Sequence, residues 1–435
     1  MFDIKNKKRI SIVLILTVIL TLTGCSIYTS NLNVNDTDKY LKKNYSEMNL
    51  EEDYIKGLSI LDKDLKKYDV FLAGERHAVE KNYDIKLAFI KYLNQKADVR
   101  YILSEDGYSI SAYLNEYLET GDEEILDYVF EYFKTSYWWN KEHYEFYKKL
   151  REYNETLDED KKIILVGIDV EYSITPAIAY LKSILPKNAP PAEIASLINL
   201  FKKTKYDKPS TWQERLDYTN SLKPLQANMK KNEDIYKEYL KDKYFDFSIV
   251  LDNIVNPGEG FYLYNITENY DSLHIVREKS IYDNFKRIYE HFPKGKYFGQ
   301  YGFDHVHQKD INDDMHNKGR LGIYLNSEDS PVKGKVLSIK YGYKDCYCME
   351  MDSNFQECVY EEKVLNHRIN NMNIIDKYLD KDFTLFKLNG KRSPFAQELY
   401  FVESPDGGVT TDYFQYVLII KDSKGTTPIE PRVKY

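Results

Sequence analysis

Val70-Phe71-Leu72-Ala73-Gly74-Glu75-Arg76-His77 is the stretch from which the fold is read. Four apolar residues run into a glycine, a carboxylate and an imidazole two residues apart follow, and then Ile85, Ala88, Phe89, Tyr92 and Leu93 recur at spacings of three and four. That order predicts a strand, a short loop and a helix laying one face on a sheet. The loop sits at the strand's C-terminal edge, where open α/β sheets gather their ligand-binding and catalytic groups. Taken alone, the same Glu and His also read as a solvated or capping pair.

The plan repeats along the chain. Arg100-Tyr101-Ile102-Leu103-Ser104-Glu105 is a second compact strand ending on an acid, and Tyr113, Leu114, Tyr117 and Leu118 mark the helix after it. Lys162–Val166 is a third strand, with Asp169 just past its end and Pro176 near a helix start. A helical pattern then runs over about 176–293, interrupted only by Pro257-Gly258-Glu259-Gly260, and is expected to form an insertion or cap. Lys296–Gly302 is the next strand, ending in Gly302-Phe303-Asp304-His305-Val306-His307. Gly334–Tyr343, Phe383–Leu388 and Phe414–Ile420 are expected to extend the sheet at its edge. The fold class is therefore α/β: a mostly parallel central sheet flanked by helices, with a helical cap and extra C-terminal strands. No phosphate-binding loop or dinucleotide fingerprint is present.

Within the helix expected over Ser272–His291, His274, Arg277, Ile281, Phe285 and Ile288 fall on one stripe. An arginine on a buried face needs carboxylate partners, because stranding a buried charge costs about 3–5 kcal/mol. Arg277 should therefore reach one of the strand-end acids, the alternative being that it snorkels at the edge of the face. His305 is either a hydrogen-bonded histidine at a strand end or part of the same group of polar residues. His307, two residues on, can share its face.

With 435 residues, 43% of them hydrophobic, the chain can bury one large core or two ordinary ones. A net charge of −8 with both signs mixed leaves no basic footprint for nucleic acid. The 41 tyrosines among many Lys, Asn and Ile are read as the mark of an A/T-rich genome rather than of a binding surface. Lys5, Lys7, Lys8 and Arg9 precede an apolar run from Ile10 to Leu22, too short to span a bilayer comfortably, and the whole reads as a signal peptide over residues 1–25. Its end, Leu22-Thr23-Gly24-Cys25, resembles a bacterial lipoprotein signal, which implies a lipid such as palmitate on Cys25 and a cell-membrane anchor on the extracytoplasmic face. Residues 26–50 are polar and aperiodic and are expected to be an unfolded tether, leaving 51–435 as the folded domain. Of Cys346, Cys348 and Cys358, one small disulfide to Cys358 with one thiol left over is expected in an exported protein.

Four blocks, in order, resemble the erythromycin esterase family, within the wider group that includes ChaN-type haem-uptake and TIKI/TraB-type proteins. Gly74-Glu75-Arg76-His77 is similar to the Gly-Glu-x-His of the ChaN-type branch, whereas esterases usually carry one more residue between Glu and His. Leu103-Ser104-Glu105 with Tyr113-Leu114-Asn115-Glu116-Tyr117 resembles the second esterase block. Trp138-Trp139-Asn140-Lys141-Glu142, Leu150-Arg151-Glu152-Tyr153-Asn154 and Gly167-Ile168-Asp169 resemble the esterase Trp-x-x-x-Glu, Leu-Arg-x-Tyr-Asn and Gly-x-Asp series. Arg277-Glu278 with Asn284 is similar to the family's Arg-Asp and Asn helix. Gly302-Phe303-Asp304-His305 fits the TIKI/TraB Gly-x-x-His, with Gly302 where esterases carry a first histidine.

The resemblance implies a hydrolase acting on a small-molecule ester or lactone. His77 would be the general base on water, oriented by Glu75 or Glu105, with Arg277 and His305 stabilising the oxyanion. Trp138, Trp139, Glu142, Asp169 and His307 would line or support the pocket. Two other readings follow from the wider group: a divalent metal on His77, Glu105 and His305, as in a TIKI-like metallopeptidase, or haem ligated by Tyr or His, as in ChaN-type proteins.

Overall fold

The computed structural model describes residues 34–134, 136–267, 270–312, 319–351, 358–364 and 371–429. The expected leader and Cys25 lie outside them. The chain divides into two compact units, Met1–Lys43 and Asn44–Tyr435. A short helix, Val34–Leu41, belongs to the first, and every other element to the second.

The strands are Tyr45–Met48 (β1), Val70–Glu75 (β2), Val99–Gly107 (β3), Ile164–Asp169 (β4), Lys296–Gly302 (β5), Val336–Lys344 (β6), Tyr347–Met351 (β7), Cys358–Val364 (β8), Phe383–Lys387 (β9) and Tyr416–Lys421 (β10). Eight of them form one sheet in the order β1-β9-β10-β6-β2-β5-β3-β4, and β7 pairs with β8 as a separate hairpin. From β10 to β4 every neighbouring pair is parallel; β9 runs antiparallel to both β10 and β1. The expected α/β architecture is the one observed.

Period-two alternation builds a core on each side of the sheet. Phe71, Ala73, Ile102 and Leu165 face the helices Lys81–Ala97 and Lys141–Glu155, while Val70, Leu72, Leu103, Val166 and Ile168 face the helices between β4 and β5. All elements between those two strands are helical, from Ile174–Ser183 to Tyr270–His291. β4 is an edge strand, and Asn115 closes part of its open side: its side-chain amide donates to Leu165 O and accepts from Leu165 N, both at 2.8 Å.

Two expectations need correction. The segment read as an unfolded tether contains the helix Val34–Leu41 and β1, whose four residues all find backbone partners on the edge of β9 while Met48 is buried. The expected disulfide does not form at either described thiol: Cys346 and Cys348 are free and buried. Strand register places residue 358 opposite Met351, so Cys348 lies three residues, about 10 Å, along the hairpin, beyond the roughly 7 Å a disulfide tolerates between Cα atoms.

Candidate active site

β5 runs between β2 and β3, so Glu75, Glu105 and the turn after Gly302 meet at one sheet edge. Gly74 and Gly302 make that close approach possible. A Cβ on Gly74 would lie 2.4 Å from Val306 Cγ2, and one on Gly302 would lie 3.1 Å from His77 Nε2 and 3.6 Å from His305 Cδ2. A side chain in place of Gly302 would therefore crowd His77 and touch His305.

Glu105 is the hub. Its carboxylate accepts from Arg277 Nη2 and from Gly302 N, each at 3.0 Å, and lies 3.3 Å from His305 Nε2 and 3.9 Å from His77 Nε2. Burial would raise its pKa, but His305, His77 and Arg277 outweigh burial and hold it well below the usual carboxylate range. Arg277, which enters from the helix Tyr270–His291, also grips fully buried Asp169 with Nε at 3.0 Å and Nη2 at 2.5 Å. The expected buried arginine–acid pairing is thus present, with two acids rather than one.

His305 is sandwiched between acids: Nε2 faces Glu105 and Nδ1 lies 2.8 Å from Glu278 Oε1. Burial opposes its protonation, yet Glu278 and Glu105 raise its pKa to about 9, so it is an imidazolium at neutral pH. Glu278 is held at about 2 against the effect of burial by His305, Arg277 and Arg320, and it also accepts from Arg320 Nη1 and Leu321 N at 3.1 Å.

His77 is the more open histidine, its side chain 24% exposed. Nδ1 lies 3.0 Å from Glu75 Oε1. Glu75 is fixed in turn: its other oxygen accepts from Gln300 Nε2, and Gln300 Oε1 accepts from Tyr341 OH at 3.0 Å. With Nδ1–H donated to Glu75, Nε2 carries the free lone pair, turned toward Glu105. Trp138 stands edge-on to the His77 ring at 4.7 Å, and the Tyr172 ring lies 5.4 Å from the Arg277 guanidinium.

Glu75, His77, Glu105, Arg277 and His305 therefore converge, joined by Asp169 and flanked by Trp138. Three residues expected at the pocket lie elsewhere. His307 does not share the face of His305; it is buried 3.4 Å from Lys340 Nζ with Phe414 alongside, because the short helical turn Phe303–Val306 rotates the two apart. Trp139 packs into the core on the side of the helix Lys141–Glu155. Glu142 accepts from Thr427 N at 2.8 Å. The sequence reading assigned no role to Glu278, Arg320 or Gln300. The signal for Glu278 was its place after Arg277 in the pair similar to the family's Arg-Asp, which names no partner for it.

The donor set does not fit a metal on His77, Glu105 and His305. Among the described residues no three His, Cys, Asp or Glu side chains are arranged to hold one. The guanidinium of Arg277 and the protonated ring of His305 already occupy the positive side of Glu105.

The sequence profile of the erythromycin esterase family matches residues 95–316. The chain belongs to the erythromycin esterase family. The matched span includes Glu105, Trp138, Asp169, Arg277 and His305, and leaves Glu75 and His77 outside it. Among solved structures, a Bacillus cereus protein is 17% identical, with 92% of this chain and 100% of that chain covered at a TM-score of 0.67. A succinoglycan biosynthesis protein is 14% identical over 92% and 100%, also at 0.67. A mutant of the erythromycin esterase EreC in its open conformation is 14% identical over 88% and 99%, at 0.65. At these identities the likeness is one of fold. No curated protein matches the chain in sequence.

Proposed function

We propose that this protein is a hydrolase of esters or lactones in which His77 activates water. The carrying observation is the His77–Glu75 pair: a half-open imidazole whose Nδ1 is committed to a buried, doubly held carboxylate, leaving Nε2 as base toward the pocket. Membership of the erythromycin esterase family supports the same reading.

In this mechanism Nε2 takes a proton from water while the water oxygen bonds to the carbonyl carbon and the C=O electrons move to oxygen. Arg277 and the His305 imidazolium supply the positive field that favours this oxyanion. When the tetrahedral centre collapses, the alkoxide leaves and takes the proton from His77, giving an acid and an alcohol. Glu105 keeps the two cations in place beside His77. Through the lipid expected on Cys25, the enzyme would act at the extracytoplasmic face of the membrane; no helix among the described residues is long and apolar enough to cross one.

The test is metal analysis of the purified protein, followed by an ester, lactone and peptide panel with and without chelator. Metal-free turnover reduced about 10²–10⁴-fold in His77→Ala, with the fold intact, supports the proposal. Stoichiometric metal lost in His77→Ala and His305→Ala would replace it with a metallohydrolase. With neither metal nor turnover, a Soret band on adding haemin would move the reading to haem binding.

A further inference from the structure

We infer that the segment Ser423–Pro428, beyond the last sheet strand, is a strap that positions His77 for the reaction proposed above, with Glu142 as its far fastening. The segment leaves β10 and crosses the loop that carries His77. Lys81 N donates to Ser423 Oγ at 3.1 Å, Glu80 N donates to Lys424 O at 3.0 Å, and Val79 bridges Gly425. Ala78, directly after His77, is buried with φ of 64°, a conformation alanine adopts only when its surroundings impose it. Its carbonyl accepts from both Met349 N on β7 and Thr426 N in the strap, each at 3.0 Å.

The strap then reaches the second wall of the site. Thr427 N donates to Glu142 Oε2 and Lys141 N donates to Thr427 O, both at 2.8 Å, and Asn140 bridges Pro428. Asn140 caps the helix Lys141–Glu155, and its side-chain amide donates to Tyr137 O at 2.7 Å, immediately before Trp138. Six residues thus tie the segment directly after His77 to the segment directly after Trp138. There is no slack between strap and hairpin, since a Cβ on Gly425 would lie 2.6 Å from Met349 N and 2.7 Å from Cys348 C. Glu142 lies away from the ionic cluster and holds Thr427 N. Both the His77 loop and the strap lie outside the family-matched span.

The experiment compares the full chain with Glu142→Ala, Gly425→Ala and the conservative Glu142→Gln, whose side-chain oxygen can still accept from Thr427 N. The readouts are hydrogen exchange of amides 76–81 and steady-state hydrolysis of p-nitrophenyl butyrate. Glu142→Ala and Gly425→Ala should speed exchange in that loop about tenfold, with the sheet strands unchanged. They should lower kcat about tenfold with KM little altered, because a displaced base loses rate rather than binding. Glu142→Gln should restore both. Unchanged loop exchange, faster exchange with kcat intact, or a rise spread evenly over the sheet would each overturn the inference. Ser423→Ala, which removes the acceptor for Lys81 N and the hydrogen bond Ser423 Oγ donates to Lys424 O, gives the same readout if the larger changes do not fold. If the wild-type protein hydrolyses no ester, the hydrolase proposal fails separately, and the exchange pattern with the His77 Nδ1 chemical shift decides the strap.

Discussion

Glu105 and Asp106 are consecutive residues at the end of β3, both partly buried, yet they are driven in opposite directions. Glu105 meets Arg277, His305 and His77 and stays ionised far below the normal carboxylate range. Asp106 has a hydrogen bond from Ser104 Oγ and the more distant charge of Lys86; burial, Asp169 and Glu105 push it up to about 6. One step along a strand changes the face, and the face decides which partners a carboxylate meets. Burial is common to both residues, so the cations from the distant helix and turn account for the difference.

The comparison breaks most visibly at Arg277. Arg277→Met leaves Glu105 and Asp169 without their shared guanidinium and should cost about 3–5 kcal/mol in urea denaturation. A loss below about 1 kcal/mol would mean that the cations do not set the state of Glu105. A smaller effect is expected from His305, whose folded pKa of about 9 lies above the ordinary histidine value. Its contribution should be complete below about pH 6.5 and lost as pH rises through 9, on the order of 3 kcal/mol in all. Denaturation of wild type and His305→Gln across pH 6–10 checks this: the two curves should converge at the alkaline end.

The smallest effect belongs to Asp106, and its sign is reversed in consequence. Its folded pKa is raised, so the neutral form is favoured; stability is greatest below about pH 4 and falls as pH passes 6. Asp106→Asn, which can still accept from Ser104, should therefore stabilise the protein above pH 6 by about 1–2 kcal/mol, allowing for partial exposure. It should have no effect near pH 4. Destabilisation at neutral pH would show that Lys86 compensates Asp106 as fully as Arg277 compensates Glu105.

The strands bearing Glu75, Glu105 and Asp169 were readable because compact apolar runs ending on acids leave few other structures open. Arg277 was readable as a charge needing a partner, although which acids it meets was not. Glu278 was legible only as the acid after Arg277, because its pairing with His305 and Arg320 joins elements far apart in the chain. His307 was misjudged because alternation holds only while the chain stays extended, and the turn Phe303–Val306 ends that. The β7–β8 hairpin and the strap gave no periodic signal: the hairpin is a short backbone ladder, and the strap is held by single contacts to residues far away in the chain.

From residue order alone came the α/β plan, the edge at which acids and histidines gather, and the family resemblance carried by four ordered blocks. These rest on local periodicity, which short-range sterics and burial impose on neighbouring residues. The protonation of His305, the division of labour between Glu105 and Asp106, and the binding of the His77 loop by the strap were decided only in three dimensions. Each depends on the distance between groups separated by many residues, and electrostatic and hydrogen-bond energies are functions of that distance, not of position along the chain.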